Sequence, residues 1–232
     1  MNNIIDRIKN AIIISVQAMP NEPLYQEECM NAMIKSVLKG GARALRLAGS
    51  RDIKNAKKFS DVPIIGLTKP DVIPSNWKQI VYITPGIKEV NELADAGADI
   101  IATDGTSRPR GNDNLQKIVK FISMRNKLSM ADISTISEAV AARALGFDMV
   151  STTLSGYTQN SDTNSDEPDF KLLEKAVKIL DCPVILEGRI WTPEQIRKAF
   201  DLGAHAVVIG SAVTRPQLIV KRLYSKSQKE KL

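Results

Sequence analysis

Lys69, in Leu67-Thr68-Lys69, and Glu187, in Leu186-Glu187-Gly188, each stand just after a short aliphatic run. An amine and a carboxyl group that face each other across a sugar can move a proton at a carbon next to a carbonyl. The amine acts as a base only if burial or nearby cations lower its pKa. The same two residues could equally form a simple ion pair. Other polar residues also follow β-type runs: Gln17, Arg46, Asp104, Asp132, the segment 152–157 ending in Tyr157, and Gly210-Ser211. Five of the eight run ends carry a charged side chain, so the set reads as one functional rim rather than as scattered surface charge.

Two of these ends could hold an anion. Glu187-Gly188-Arg189 and Gly210-Ser211-Ala212 place glycine where backbone N–H groups can approach a phosphate closely. Arg215, in Val213-Thr214-Arg215-Pro216, could add a charge-assisted contact. Gly188, Gly210, Ser211 and Arg215 thus form a candidate phosphate cup.

Composition narrows the chemistry. His205 is the only histidine, so a multi-histidine metal site is excluded, and acid–base work falls to Lys, Asp, Glu or Tyr. His205 itself precedes an apolar run, at the end remote from the rim, and reads as structural. Cys29 and Cys182 offer neither a disulfide framework nor metal-ligand spacing, which makes a reducing cytoplasm the expected location.

The net charge of +6 is concentrated late in the chain, at Lys221, Arg222, Lys226, Lys229 and Lys231. Only Tyr224 interrupts that run, so it reads as a solvated last helix and a basic tail over about 225–232, not as a nucleic-acid patch. The aliphatic stretch 11–14 is too short for a signal or membrane segment and reads as a first buried strand.

Short β-branched runs fall at 12–16, 44–47, 63–67, 99–103, 128–131, 147–152, 183–186 and 206–210, with amphipathic stretches between them. This is the pattern of repeated βαβ units. A ninth run, 81–84, reads as a short extra element before a helix that starts near Gly86. Gly97, Gly146 and Gly203 each sit between a helical stretch and a β run, as helix-ending glycines do. Thr192-Pro193-Glu194-Gln195 and Thr135-Ile136-Ser137-Glu138 read as capping boxes. Eight even units in 232 residues predict one (β/α)₈ TIM barrel with a closed parallel sheet over 1–232. In that fold the chemistry lies at the carboxyl ends of the strands, where the residues above fall.

Several segments together resemble the N-acetylmannosamine-6-phosphate 2-epimerases of bacterial sialic acid catabolism. They are Gln17-Ala18-Met19-Pro20 with Glu22-Pro23-Leu24-Tyr25, Tyr82-Ile83-Thr84-Pro85, and Met130-Ala131-Asp132-Ile133-Ser134-Thr135. Thr152-Thr153-Leu154-Ser155-Gly156-Tyr157-Thr158, Glu187-Gly188-Arg189-Ile190, and Gly210-Ser211-Ala212-Val213-Thr214-Arg215-Pro216 complete the set. The resemblance runs from about residue 12 to residue 222. It implies interconversion of N-acetylmannosamine 6-phosphate and N-acetylglucosamine 6-phosphate by inversion at C2, without metal or redox cofactor.

Carried over residue by residue, it implies an acid–base pair at Lys69 and Glu187 and sugar contacts from Gln17, Arg46 and Asp132, with Tyr157 as a further substrate residue. Phosphate contacts are implied at Gly188, Gly210, Ser211 and Arg215. The expected partner is a phosphorylated amino sugar, with no nucleic acid, no membrane, and a homodimer as the family's assembly. The chain departs from the pattern at Pro70, where arginine is common, at Ala48, where a polar residue is common, and in Thr103-Asp104-Gly105-Thr106. Another sugar-phosphate isomerase or aldolase, or a non-catalytic phosphosugar-binding relative, are the alternatives on the same barrel.

Overall fold

Aliphatic runs that are apolar on both faces are buried by becoming strands of a sheet covered on both sides. The computed structural model describes residues 2–161 and 165–227. Its strands are β1 (Ala11–Val16), β2 (Ala44–Ala48), β3 (Ile64–Leu67), β4 (Ile100–Asp104), β5 (Leu128–Asp132), β6 (Met149–Ser151), β7 (Val184–Glu187) and β8 (Ala206–Ile209). Each pairs in parallel with the next, and β8 returns to β1 with Ala206 opposite Ala11, so the sheet closes. The predicted (β/α)₈ barrel is the observed fold.

The helices are α1 (Asn2–Ile8), α2 (Glu27–Lys39), α3 (Ser50–Lys57), α4 (Ile87–Ala96), α5 (Leu115–Met124), α6 (Ile136–Ala144), α7 (Phe170–Ile179), α8 (Pro193–Asp201), α9 (Ser211–Thr214) and α10 (Pro216–Ser227). Two apolar layers hold them in place. The outer one packs helix residues such as Ile34, Leu93, Ile122 and Leu173 against the sheet. The inner one fills the barrel with Ile13, Ile65, Ile100, Met130, Met149 and Val208, and Ile4, Ile5 and Ile8 of α1 pack against it.

Local sequence signals appear as expected. Thr135 with Glu138 and Thr192 with Gln195 form reciprocal capping boxes at the starts of α6 and α8. Gly97, Gly146 and Gly203 adopt φ of +97°, +94° and +91°, the left-handed turn that ends a helix before the next strand.

One element differs from expectation. Residues 81–84 form no strand: Thr84 has φ of +42°, which breaks an extended run. The segment instead wedges between the ends of β3 and β4. Thr84 N–H donates to Thr68 O, Thr68 N–H donates to Thr84 Oγ1, and Asp104 N–H donates to Ile83 O. The β3–β4 register, Ile65 opposite Ile100 and Gly66 opposite Ile101, stops where this wedge begins. The backbone immediately before Lys69 is thereby fixed.

His205 lies at the opposite end of the barrel, with its Nε2 2.9 Å from Ile5 O of α1, in keeping with its structural reading. On α10 the late positive charges are partly engaged: Lys226 pairs with Asp166, and the Arg222 guanidinium lies over the Trp191 ring. The remainder of the expected basic tail, 228–232, lies outside the described residues. Among the described residues no helix is long and apolar enough to cross a membrane.

Candidate active site

The carboxyl ends of the strands open onto a cavity of about 450 Å³. Gln17, Lys69, Tyr157, Glu187, Gly188, Gly210, Ser211 and Arg215 all line it. The volume is within the usual range for a small-molecule site.

Lys69 follows β3 by two residues, and its Nζ donates to Gln17 Oε1 at 2.8 Å. Gln17 Nε2 in turn donates to Ser15 Oγ at 2.7 Å, which fixes the amide's orientation. The lysine reaches water through the cavity mouth, yet protein surrounds its amine on the remaining sides. Desolvation, helped by the Arg46 guanidinium, lowers its pKa below the ordinary lysine range, with Glu187 and Asp132 opposing.

Glu187 ends β7 and has the opposite perturbation. Desolvation raises its pKa, and Asp132 adds to this; Arg46, the Thr153 hydroxyl and Lys69 pull the other way. The backbone of Glu187 is clasped by the residue after β6: its N–H donates to Thr152 Oγ1, and Thr152 Oγ1 donates to its carbonyl. Thr153 Oγ1 lies 2.9 Å from Glu187 Oε2 and also 2.9 Å from Asp132 Oδ1.

Arg46 and Asp132 are under the cavity rather than in it, with side chains 1% and 0% exposed. Arg46 donates to both oxygens of Asp132, at 3.2 and 2.6 Å, and its Nη1 is 3.3 Å from Glu187 Oε2. The resemblance implied sugar contacts for these two residues. The structure makes them a charged floor that holds Glu187 from below. Among the described residues, buried Arg46 Nε has no hydrogen-bond partner.

Asp104 does not join the rim set. It is fully buried and bound by Arg108, by the N–H and hydroxyl of Thr106, and through its carbonyl by Arg110. The four charged rim residues that gather around the cavity are therefore Arg46, Lys69, Asp132 and Glu187. Ala48 and Pro70, the two departures from the family pattern, both line the cavity.

The ends of β7 and β8 carry the anion-suited backbone. Gly188 has φ of +110°, and a side-chain carbon built there would meet open space. Gly210 leads into α9, and Ser211 begins it. Arg215 pairs with Glu22, whose other oxygen accepts from Met19 N–H at 2.9 Å; Gln217 also donates to Glu22. The guanidinium thus has an internal counter-charge. Arg189, at φ of +58°, reaches away from the cup to the carbonyls of Ser155 and Glu167 and lies against the Tyr157 ring. Among the described residues no group of three or more His, Cys, Asp or Glu is placed to hold a metal ion.

Thr152, Thr153, Ser15 and Glu22 were not singled out individually by sequence position. The paired threonines directly after a strand were the available signal.

Comparison with known proteins gives matches along most of the chain. A family model described as "Putative N-acetylmannosamine-6-phosphate epimerase" matches residues 30–229. A relative in Clostridioides difficile (strain 630), named "Putative N-acetylmannosamine-6-phosphate 2-epimerase", is 45% identical over 94% of this chain and 96% of its own. One of the same name in Clostridium perfringens (strain ATCC 13124) is 47% identical over 94% and 97%. The solved structure of the N-acetylmannosamine-6-phosphate 2-epimerase from Clostridium perfringens superposes with a TM-score of 0.90 at 45% identity, covering 96% of both chains. A thiamine phosphate pyrophosphorylase from Pyrococcus furiosus, 16% identical with a TM-score of 0.62 over 94% and 93% of the chains, shares the fold alone.

Proposed function

The chain belongs to the N-acetylmannosamine-6-phosphate epimerase family, and from that premise we propose that it interconverts N-acetylmannosamine 6-phosphate and N-acetylglucosamine 6-phosphate, with Lys69 and Glu187 moving the C2 proton. The observation that carries this reading is that Lys69 and Glu187, an amine lowered and a carboxyl raised by desolvation, line one cavity together with Gly188, Gly210, Ser211 and Arg215.

The C2 proton becomes acidic once the sugar ring opens and a C1 carbonyl can accept the charge. One group removes that proton and the other returns one to the opposite face. Before one direction of reaction the pair is a neutral amine with a protonated carboxyl. Before the other it is an ammonium with a carboxylate. These are tautomers with the same proton count. Burial moves the two pKa values toward each other and so brings the tautomers closer in energy, which suits a reaction that runs both ways. Gln17 orients the amine, and Arg46 with Asp132 supports the carboxyl from below. Gly188, Gly210, Ser211 and Arg215 receive the phosphate. The reaction takes place in a reducing cytoplasm, in keeping with the two free cysteines.

An NMR time course with N-acetylmannosamine 6-phosphate in D₂O tests the assignment. The glucosamine epimer should appear with deuterium at C2. Saturable binding with neither conversion nor exchange would identify a sensor instead.

Arg215→Ala should raise KM about tenfold and leave kcat within a small factor, since phosphate is held alike in ground and transition states. An unchanged KM would remove Arg215 from the cup and leave it as a structural partner of Glu22.

A further inference from the structure

Glu187 must gain and lose a proton in every catalytic cycle, yet it is largely enclosed, and a half-satisfied carboxyl in such a place is costly. Its Oε2 faces Arg46 Nη1 from β2 at 3.3 Å and Thr153 Oγ1 from the turn after β6 at 2.9 Å. Asp132 from β5 and Lys69 from beyond β3 complete the charged groups around it. Arg46 already serves both oxygens of Asp132, so the Thr153 proton is free to go to either carboxyl group. Ser151 Oγ, 2.9 Å from the same hydroxyl, can donate to it.

From this geometry we infer that Thr153 is a positioning residue that serves Glu187 in both of its protonation states, its hydroxyl reversing direction as the proton comes and goes. With Glu187 ionised, Thr153 donates to Oε2. With Glu187 protonated, the carboxyl O–H donates to Thr153 Oγ1, which turns its own proton to Asp132 Oδ1. In either state Glu187 Oε2, the Thr153 hydroxyl and Asp132 Oδ1 each keep a partner, and the exchange needs only rotation of one hydroxyl. Thr153 borders the cavity, but its hydroxyl is engaged by the two carboxylates. The inference rests on the reading of Glu187 as a proton-transfer group.

Thr153→Val keeps the side-chain shape and deletes the hydroxyl; Thr153→Ser keeps the hydroxyl. A bond to a charged group is stronger than one to a neutral group, so the ionised carboxyl loses more in the valine variant and its pKa rises. Two measurements read this out. In the substrate-free protein, ¹³Cδ-glutamate NMR, with Glu187 assigned through Glu187→Gln, should show its titration about one unit higher in Thr153→Val and near wild type in Thr153→Ser.

In turnover, Thr153→Val should lose roughly 10–100-fold in kcat with KM within about twofold, and the acid limb of kcat/KM should move up with the NMR value. The substrate phosphate titrates alike in all three proteins, so any displacement between them belongs to the protein. An unmoved Glu187 titration in Thr153→Val overturns the inference, as does an equal loss in Thr153→Ser, which would assign the role to the methyl group. If Thr153→Val shows the NMR displacement but the wild-type protein never converts the sugar phosphate, the epimerase reading falls and the hydroxyl exchange stands.

Discussion

Lys69→Met should reduce kcat roughly 10³-fold while the protein remains folded. General acid–base groups commonly contribute about 10²–10⁴-fold, and methionine fills the space of the lysine stem without its amine. The folded state should tolerate the change, because the Lys69 side chain borders the open cavity and its direct partner is the Gln17 amide. The pH profile gives the more specific test. Turnover in either direction needs the pair to hold one proton between them, so kcat/KM should be bell-shaped. Its alkaline limb marks loss of that last proton and should lie below the ordinary lysine range, because the amine is lowered by desolvation and by Arg46. In Lys69→Met, whatever activity remains should lack that limb. Wild-type turnover from Lys69→Met, measured by the coupled appearance of the C2 epimer, would remove the amine from the mechanism.

Glu187→Gln should be comparably severe, roughly 10²–10⁴-fold in kcat. The acid limb of the wild-type bell belongs mainly to this group. Desolvation and Asp132 place it above the usual carboxylate range, so activity should fall as pH drops through that raised value and should survive at higher pH until Lys69 loses its proton. The glutamine variant should show no such acid limb beyond the ionisation of the substrate phosphate. The amide also leaves Arg46 with one anionic partner instead of two, a change felt beneath the cavity. Incubation in D₂O separates the two roles. If Glu187→Gln still exchanges the C2 proton but forms no epimer, Lys69 is the group on the exchanging face; if both exchange and conversion stop, Glu187 either removes the C2 proton of that epimer itself or acts before C2 is reached, as a ring-opening catalyst would.

The barrel could be read from the sequence because its strands are short aliphatic runs whose ends are marked by glycines and capping boxes, all of them local signals. Lys69, Glu187 and Gln17 could be read by position, since the residue after a strand in this fold faces the cavity. The same rule misplaced Asp104, although its position is equivalent. Thr106, Arg108 and Arg110 fold back on it within one loop, and no periodicity encodes that return. Arg46 and Asp132 were legible as residues at the ends of β2 and β5, but neither their pairing nor their depth was. They end up beneath the cavity because each needs the other to be buried at all. The Glu22–Arg215 pair joins the loop after β1 to the start of α10, a contact between distant stretches of chain that no local pattern announces. The 81–84 run failed for the opposite reason: its residue types suit a strand, and tertiary hydrogen bonds to β3 and β4 decided otherwise.

Among the described residues, α1 packs Ile4, Ile5 and Ile8 against the apolar fill of the barrel, and the chamber opens at the carboxyl ends of the strands. Two sugars that differ in the hand of a single carbon must therefore arrive and depart by the same route and occupy the same berth. Each epimer is then a direct rival of the other, and net flux follows their ratio outside.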